Sequence, residues 1–290
     1  MIEFDSFEEG GFARLSHFDS LVWRTNMDKL EQMSATFATA WREGGQGYPW
    51  PLDPLHWWSR IWEYPFFSAH LDRIRDSAPA GDRLRLLDIG AAVTFFTPYI
   101  LSRGFEVLNM DYDARMPFYF ERAWNDAFPG NLGNRPPYLV ADARNNLLPT
   151  ASFDVITSVS VLEHIPEWER ALMEMLRVLR PNGHLILTFD VRLNEQSQGF
   201  NILEVQKLLD LVSEYATIIT STNVNLPTDV LDMHNSPMAK YKQPKHKSLV
   251  RSLWPPHLIP KKATRKLVKK FSLQQSQENM AIFAAVWTKM

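Results

Sequence analysis

From residue 83 onward the chain repeats one pattern: a short apolar run that ends in a turn, then a stretch with helical spacing. The runs are Arg83–Gly90, Phe105–Asp111, Pro137–Asp142, Phe153–Ser158 and His184–Asp190. Between them, Thr97–Arg103, Met116–Phe128 and Trp168–Arg180 read as helices. They are stopped at Gly104, at Pro129-Gly130 and at Pro181-Asn182-Gly183. Continuous apolar runs suit strands buried on both faces, and parallel neighbours need crossover helices between them. The pattern therefore predicts an α/β domain with a mostly parallel sheet and right-handed crossovers. Leu172, Leu176 and Leu179 form one stripe, the face that the third of these helices turns to the sheet. A helix over Leu203–Ser213, a sixth strand over Ala216–Thr222 and a last strand over Met280–Thr288 complete the reading. The interval between those last two strands is far longer than a hairpin requires.

In open parallel sheets ligands bind beyond the carboxyl ends of the strands. The residues collected there are Asp88 and Gly90, Asp111 and Asp113, Asp142, Ser158 to His164, and Asp190. So many carboxylates repel a pyrophosphate and suit a cationic ligand bearing hydroxyls and an amine. The segments Leu86-Leu-Asp-Ile-Gly90, Ala141-Asp142-Ala143, Phe153-Asp-Val-Ile156, Val161-Leu-Glu-His-Ile165 and Leu176-Arg-Val-Leu-Arg-Pro-Asn-Gly183 occur in order, with Asp111 following Gly90 by 21 positions. Together they resemble a class I S-adenosylmethionine-dependent methyltransferase. This implies a Rossmann-like sheet of seven strands, the last antiparallel, and S-adenosylmethionine as cofactor, with S-adenosylhomocysteine as product.

By that resemblance Gly90 borders the methionine end of the cofactor and Asp111 accepts from the ribose hydroxyls. Asp142 takes the adenine amino group, the Ala143 amide reads a ring nitrogen, and Ser158 and Val159 flank the sulfonium. The family's Gly-x-Gly-x-Gly is replaced here by Gly90-Ala-Ala92-Val-Thr94. Val93-Thr-Phe-Phe96 and Ser59-Arg-Ile-Trp-Glu-Tyr-Pro65 resemble a bacterial subgroup that carries both stretches. Arg60 and Tyr64 are candidates for the cofactor carboxylate, a task suited to a guanidinium fork, with packing of the cap as the other reading. Asp88 either touches cofactor or holds the turn. His164, beside Glu163, is either a general base on the acceptor or structural. Asp190 either orients the acceptor or caps a loop. Two other classes fit less well. One is a non-catalytic domain of the same fold that has lost activity through its altered glycine motif. The other is a nicotinamide oxidoreductase, whose Gly-x-Gly-x-x-Gly is absent.

Residues 1–80 read as a Trp-rich helical cap, holding six of the ten tryptophans, and 81–290 as the cofactor-binding domain. Ser77–Asp82, rich in turn-formers, marks the boundary. Residues 225–278 form an inserted basic lid. Within it Lys240–Lys270 carries eleven Lys/Arg and no acid, against 20 Lys/Arg and 33 Asp/Glu elsewhere. Leu258–Phe271 has the spacing of a basic amphipathic helix. An anion is the expected partner of this run: a small anionic acceptor, or an anionic membrane met peripherally through 240–271, with nucleic acid last. The absence of cysteine excludes disulfides, thiol nucleophiles and cysteine zinc sites, and no metal is expected. The first ten residues lack the basic and apolar regions of a secretory signal, so the expected setting is cytoplasmic.

Overall fold

The computed structural model describes residues 5–41, 48, 50, 54–130, 134–238 and 278–290. The amphipathic helix expected at 258–271 and the whole basic run Lys240–Lys270 lie outside the described residues. Strands β1 (Gly11–Phe12), β2 (Leu84–Ile89), β3 (Phe105–Asp111), β4 (Tyr138–Val140), β5 (Phe153–Val159), β6 (Leu179–Arg192), β7 (Ala216–Ile218) and β8 (Met280–Lys289) form one sheet. Among the described residues six α-helices accompany them: α1 (Leu21–Trp41), α2 (Arg60–Ser77), α3 (Phe96–Ser102), α4 (Met116–Ala127), α5 (Trp168–Val178) and α6 (Ile202–Ser213).

The order across the sheet is β4-β3-β2-β5-β6-β8, parallel from β4 to β6, with β8 antiparallel to β6. Both β7 and β1 pair antiparallel with β8, β7 through Lys289, Thr288 and Trp287 and β1 through Ala284 and Phe283. The sheet thus gains one short strand, β1, beyond the seven expected. It blunts the edge that β7 leaves open toward the start of β8, where unpaired N–H and C=O groups would otherwise invite pairing.

Alternation along the strands sorts the core into two layers. Leu86, Val107, Val155, Ile186, Ile282 and Val286 face one way, onto Trp62, Phe66 and Phe67 of α2, Tyr99 of α3 and Phe120 of α4. Leu87, Ile89, Ile156, Leu185, Phe283 and Trp287 face the other, onto Trp168 and Leu172 of α5 and Leu208 of α6. The segment expected to be a cap thereby supplies much of one layer, with Trp62, Phe66 and Phe67 wholly buried.

Boundaries differ most at β6. The sequence suggests a turn at Pro181–Gly183, but β6 starts at Leu179, so α5 ends at Val178, two residues short of Arg180, and Leu179 packs from the strand. The register with β5 shifts between Phe153 and Val155, and Asn182 has φ 61°. The turn-formers are absorbed as an irregularity at the strand's start. The sixth strand is shorter than expected, Ala216–Ile218, although Ile219 N–H still donates to Val286 O at 2.9 Å.

Candidate active site

The carboxyl ends of β2, β3 and β5 meet at a loop running from Gly90 to Phe95. Gly90 has φ 72°, and a Cβ there would stand 2.3 Å from Val161 Cγ2, so backbone is all that fits. Its N–H and that of Ala91 both donate to Met110 O, at 2.8 and 3.1 Å, tying the turn to β3. Ala92 has φ 46°, the left-handed region that glycine occupies most easily. Where the resembled family has glycine, this chain places an alanine in the left-handed region.

Several side chains hold that strained loop. Ala92 N–H donates to Asp111 Oδ2 (3.2 Å), and the Tyr138 hydroxyl donates to Ala92 O (2.8 Å). The Tyr48 hydroxyl accepts from Val93 N–H (2.8 Å) and lies 3.2 Å from Val93 O. Tyr64, buried against Phe95 and Phe96, hydrogen-bonds Thr94, whose Oγ1 accepts from Phe96 N–H at 3.2 Å. Tyr48 and Tyr138 escaped the sequence reading. A tyrosine hydroxyl reaching a distant backbone has no periodic signature, and only the fold reveals it.

Asp111 stands half-buried at the end of β3, and its Oδ1 accepts from Asp113 N–H at 2.9 Å. Burial raises its carboxyl above the ordinary range, opposed by these backbone donors. Asp113 is drawn off by Arg115, 2.6 Å from its Oδ2. Asp142, likewise paired with Arg144 at 2.6 Å, is held down to about 2 by that guanidinium. It remains partly exposed, with Ala143 buried beside it. Asp88 points between β2 and β5, accepting from Thr157 Oγ1 at 2.8 Å, and burial pushes it up to about 7. Its hydrogen bond thus comes from a side chain of β5 rather than from an amide of the glycine turn. Ser158 Oγ is buried with no hydrogen-bond partner among the described residues, and Val159 is partly exposed.

A second group gathers just beyond the end of β5, beside the Thr188–Asp190 stretch of β6. Glu63 of α2 is fully buried; Oε1 accepts from Ser160 Oγ (2.5 Å) and Thr188 Oγ1 (2.6 Å), and Oε2 pairs with Arg60. Arg60 also donates to Ser59 Oγ at 3.1 Å. Glu63, embedded in the Trp-Glu-Tyr-Pro stretch, therefore joins α2 to the two strand ends, a role sequence reasoning passed over. Glu163, also fully buried, accepts from Asp190 N–H through Oε1 at 2.9 Å. Glu163 Oε2 and Asp190 Oδ1 have no partner among the described residues. Burial pushes Glu163 up to about 8 and Asp190 well above the carboxylate range. His164 is about half exposed, and burial of its ring lowers its pKa. The three catalytic candidates His164, Glu163 and Asp190 are thus brought together.

The geometry fits the expected cofactor. Gly90, which admits no Cβ, Asp111 at the end of the next strand and the buried, unpartnered Ser158 hydroxyl stand at neighbouring strand ends. Residues 87–187 match a family described as a methyltransferase domain. Among curated proteins, the chain is 32% identical over 124 residues to the 27-O-demethylrifamycin SV methyltransferase of Amycolatopsis mediterranei, covering 40% of this chain and 42% of that one. It is 30% identical over 117 residues to the biotin biosynthesis bifunctional protein BioHC of Cellvibrio japonicus, covering 40% and 22%. The chain spans less than half the length of these relatives. Among solved structures, the [4+2]-cyclase SpnF is similar over 77% of this chain and 82% of its own, at 18% identity and TM-score 0.49. A sarcosine dimethylglycine methyltransferase structure from Galdieria sulphuraria is similar over 78% and 88%, at 16% identity and TM-score 0.47. The matched segment runs from β2 into β6 and carries the Gly90 cradle, Asp111, Asp142 and the Glu163-His164 pair. Over residues 87–187, the stretch that holds these strand ends, the chain is similar to the methyltransferase domain family.

Proposed function

We propose that the protein transfers a methyl group from S-adenosylmethionine to an O, N or C nucleophile of a small acceptor. The observation that carries this reading is the junction of Gly90, Ala92 and Asp111, where a loop admitting no side chain at Gly90 is pinned to the carboxylate expected to hold a ribose. The bound cofactor supplies an activated sulfonium methyl, so the protein's share is binding, orientation and exclusion of water. Asp111 would keep one oxygen for each ribose hydroxyl while still receiving its backbone donors. The backbone of Gly90 and the Ser158–Val159 segment would flank the methionine end. Arg60 is placed by Glu63 near the acceptor side and offers its remaining N–H groups to an anion there.

An anionic acceptor follows from where the basic run is attached. His234 Nε2 lies 2.8 Å from Glu278 O, Met233 N–H donates to Met280 O (3.3 Å), and Ser236 Oγ donates to Trp58 O (2.9 Å). Met280 pairs with Arg192, two residues beyond Asp190. The residues on either side of 239–277 are therefore fixed at the carboxyl edge of the sheet, close to α2. Eleven cations tethered there favour an acceptor bearing phosphate or carboxylate, or access from an anionic membrane surface. No described helix is long and apolar enough to cross a membrane.

The test is titration of the protein with S-adenosylmethionine and S-adenosylhomocysteine, wild type against Asp111→Ala. Micromolar binding lost in the variant, with an unchanged circular dichroism spectrum, supports the reading. Equal affinity in both proteins removes the site assignment. For the acceptor, neutralising Lys261, Lys262, Lys269 and Lys270 should weaken binding of anionic vesicles or a phosphorylated acceptor in a salt-dependent manner. Indifference to both charge and salt would discard the anionic partner.

A further inference from the structure

Two buried carboxylates at the acceptor side are left without a counter-charge. Arg60 sits close enough to serve, but its ion pair is with Glu63 Oε2. The remaining oxygen of Glu63 is taken by Ser160 and Thr188. Glu163 is wholly buried; its Oε1 accepts from Asp190 N–H, and its Oε2 has no hydrogen-bond partner among the described residues. Asp190 likewise leaves Oδ1 bare and buried. Such oxygens are rarely left unsatisfied in folded proteins, and each one calls for a proton, an ion or a ligand. Alongside them stands His164, its Nε2 4.0 Å from Glu163 Oε1 and its side chain about half exposed. One donor atom from each of Glu163, His164 and Asp190 lies within 4.8 Å of the other two.

We propose that Glu163, His164 and Asp190 form a site for a divalent transition-metal cation such as manganese(II). Two carboxylate oxygens and one imidazole nitrogen on one side of an ion are a donor set such metals accept, leaving the other positions open. The exposed face of His164 supplies the route of entry. The ion replaces the missing counter-charge, and the open positions face the space beyond β5 and β6. Resting on the methyl-transfer reading, the acceptor would then be one that presents an oxygen to the ion, such as a hydroxyl or carboxylate. The sequence concealed the site because Asp190 lies 26 positions from His164 and the spacing matches no metal motif.

The metal claim is tested on the full chain without cofactor or acceptor. Manganese(II) is titrated while its free electron-spin resonance signal is followed, and nitrogen coupling to the bound ion is measured by pulsed methods. A single saturable site, a nitrogen coupling that disappears in His164→Gln, and an affinity at least tenfold weaker in both His164→Gln and Asp190→Asn support the site. His164 is exposed enough that its replacement leaves the core untouched, so its result stands even if Asp190→Asn folds poorly. No saturable binding up to millimolar manganese(II), or binding that His164→Gln leaves unchanged, overturns it. Cofactor binding is measured separately, so a failure of the metal site and a failure of the methyl-transfer reading are told apart.

Discussion

Gly90 and Ala92 show how differently two residues in left-handed conformation can weigh. A methyl group on Gly90 collides with Val161, so Gly90→Ala must move the loop or the residues after β5. We expect it to lower stability by about 1–3 kcal/mol, read by denaturant unfolding, and to abolish cofactor binding. Ala92 already has the required φ, and its N–H and C=O are held by Asp111 and Tyr138. Ala92→Gly should therefore change cofactor affinity by no more than about threefold, roughly 0.7 kcal/mol, in the same titration. A large gain would show that the methyl group obstructs the ligand. The buried histidines carry a pH signature. His17 accepts from Trp62 Nε1 through Nδ1 at 3.0 Å, and His70 Nε2 lies 3.1 Å from Glu8 O. Burial lowers both to about 4, below the unfolded 6.5, so the unfolded chain binds more protons between those values. Their contribution is complete above pH 6.5 and is lost as pH falls toward 4. In thermal unfolding across that window, the stability lost by His70→Gln relative to wild type should therefore grow as pH rises from about 4 to 6.5. The raised Asp88 and Glu163 act in the opposite sense, losing stability as pH rises from about 4 toward 7 to 8.

At the scale of elements, α2 shows why helix boundaries and helix roles are read with different success. Pro65 lies inside it and cannot donate to Ile61 O. That carbonyl accepts instead from Trp23 Nε1 of α1 at 3.0 Å, so a helix-breaking residue becomes a point of attachment. Trp23→Phe removes this donor and should cost about 1–3 kcal/mol of stability, measured by chemical denaturation. The strands β2, β3, β5 and β8 were legible because apolar runs bounded by turn-formers leave few alternatives, and α5 and α6 because their apolar stripes have one period. The start of β6 was not legible: Pro181, Asn182 and Gly183 have turn chemistry, and only pairing with β5 draws them into a strand. Asp111, Asp142 and the Glu163-His164 pair could be placed from the sequence because strand ends position them. Glu63, Tyr48 and Tyr138 could not, since each acts on backbone or side chains far away in the chain.

Over the whole molecule, the N-terminal segment and the sheet share one core layer. Phe7 packs edge-on against Trp62 and Phe66, and Glu8 pairs with Arg73, which fastens the segment before β1 to α2. Glu63 continues the connection to the ends of β5 and β6 as a buried charge with three partners. Breaking a buried pair by removing one member leaves the other unsatisfied, at about 3–5 kcal/mol. Glu63→Ala should accordingly lower stability by that order and disturb Ser160 and Thr188 beside the acceptor space. Glu63→Gln, which keeps an acceptor oxygen, should recover part of the loss in the same unfolding experiment. The sequence divides its charge: an acidic majority whose strand-end carboxylates suit a sulfonium and amine, and a basic run over Lys240–Lys270. The central claim is that these strand ends bind S-adenosylmethionine, and calorimetric titration with it and with S-adenosylhomocysteine tests this most directly. Saturable micromolar binding of both, abolished in Asp111→Ala with the fold intact, is the predicted result. No heat of binding from either ligand to the folded wild-type protein would contradict it.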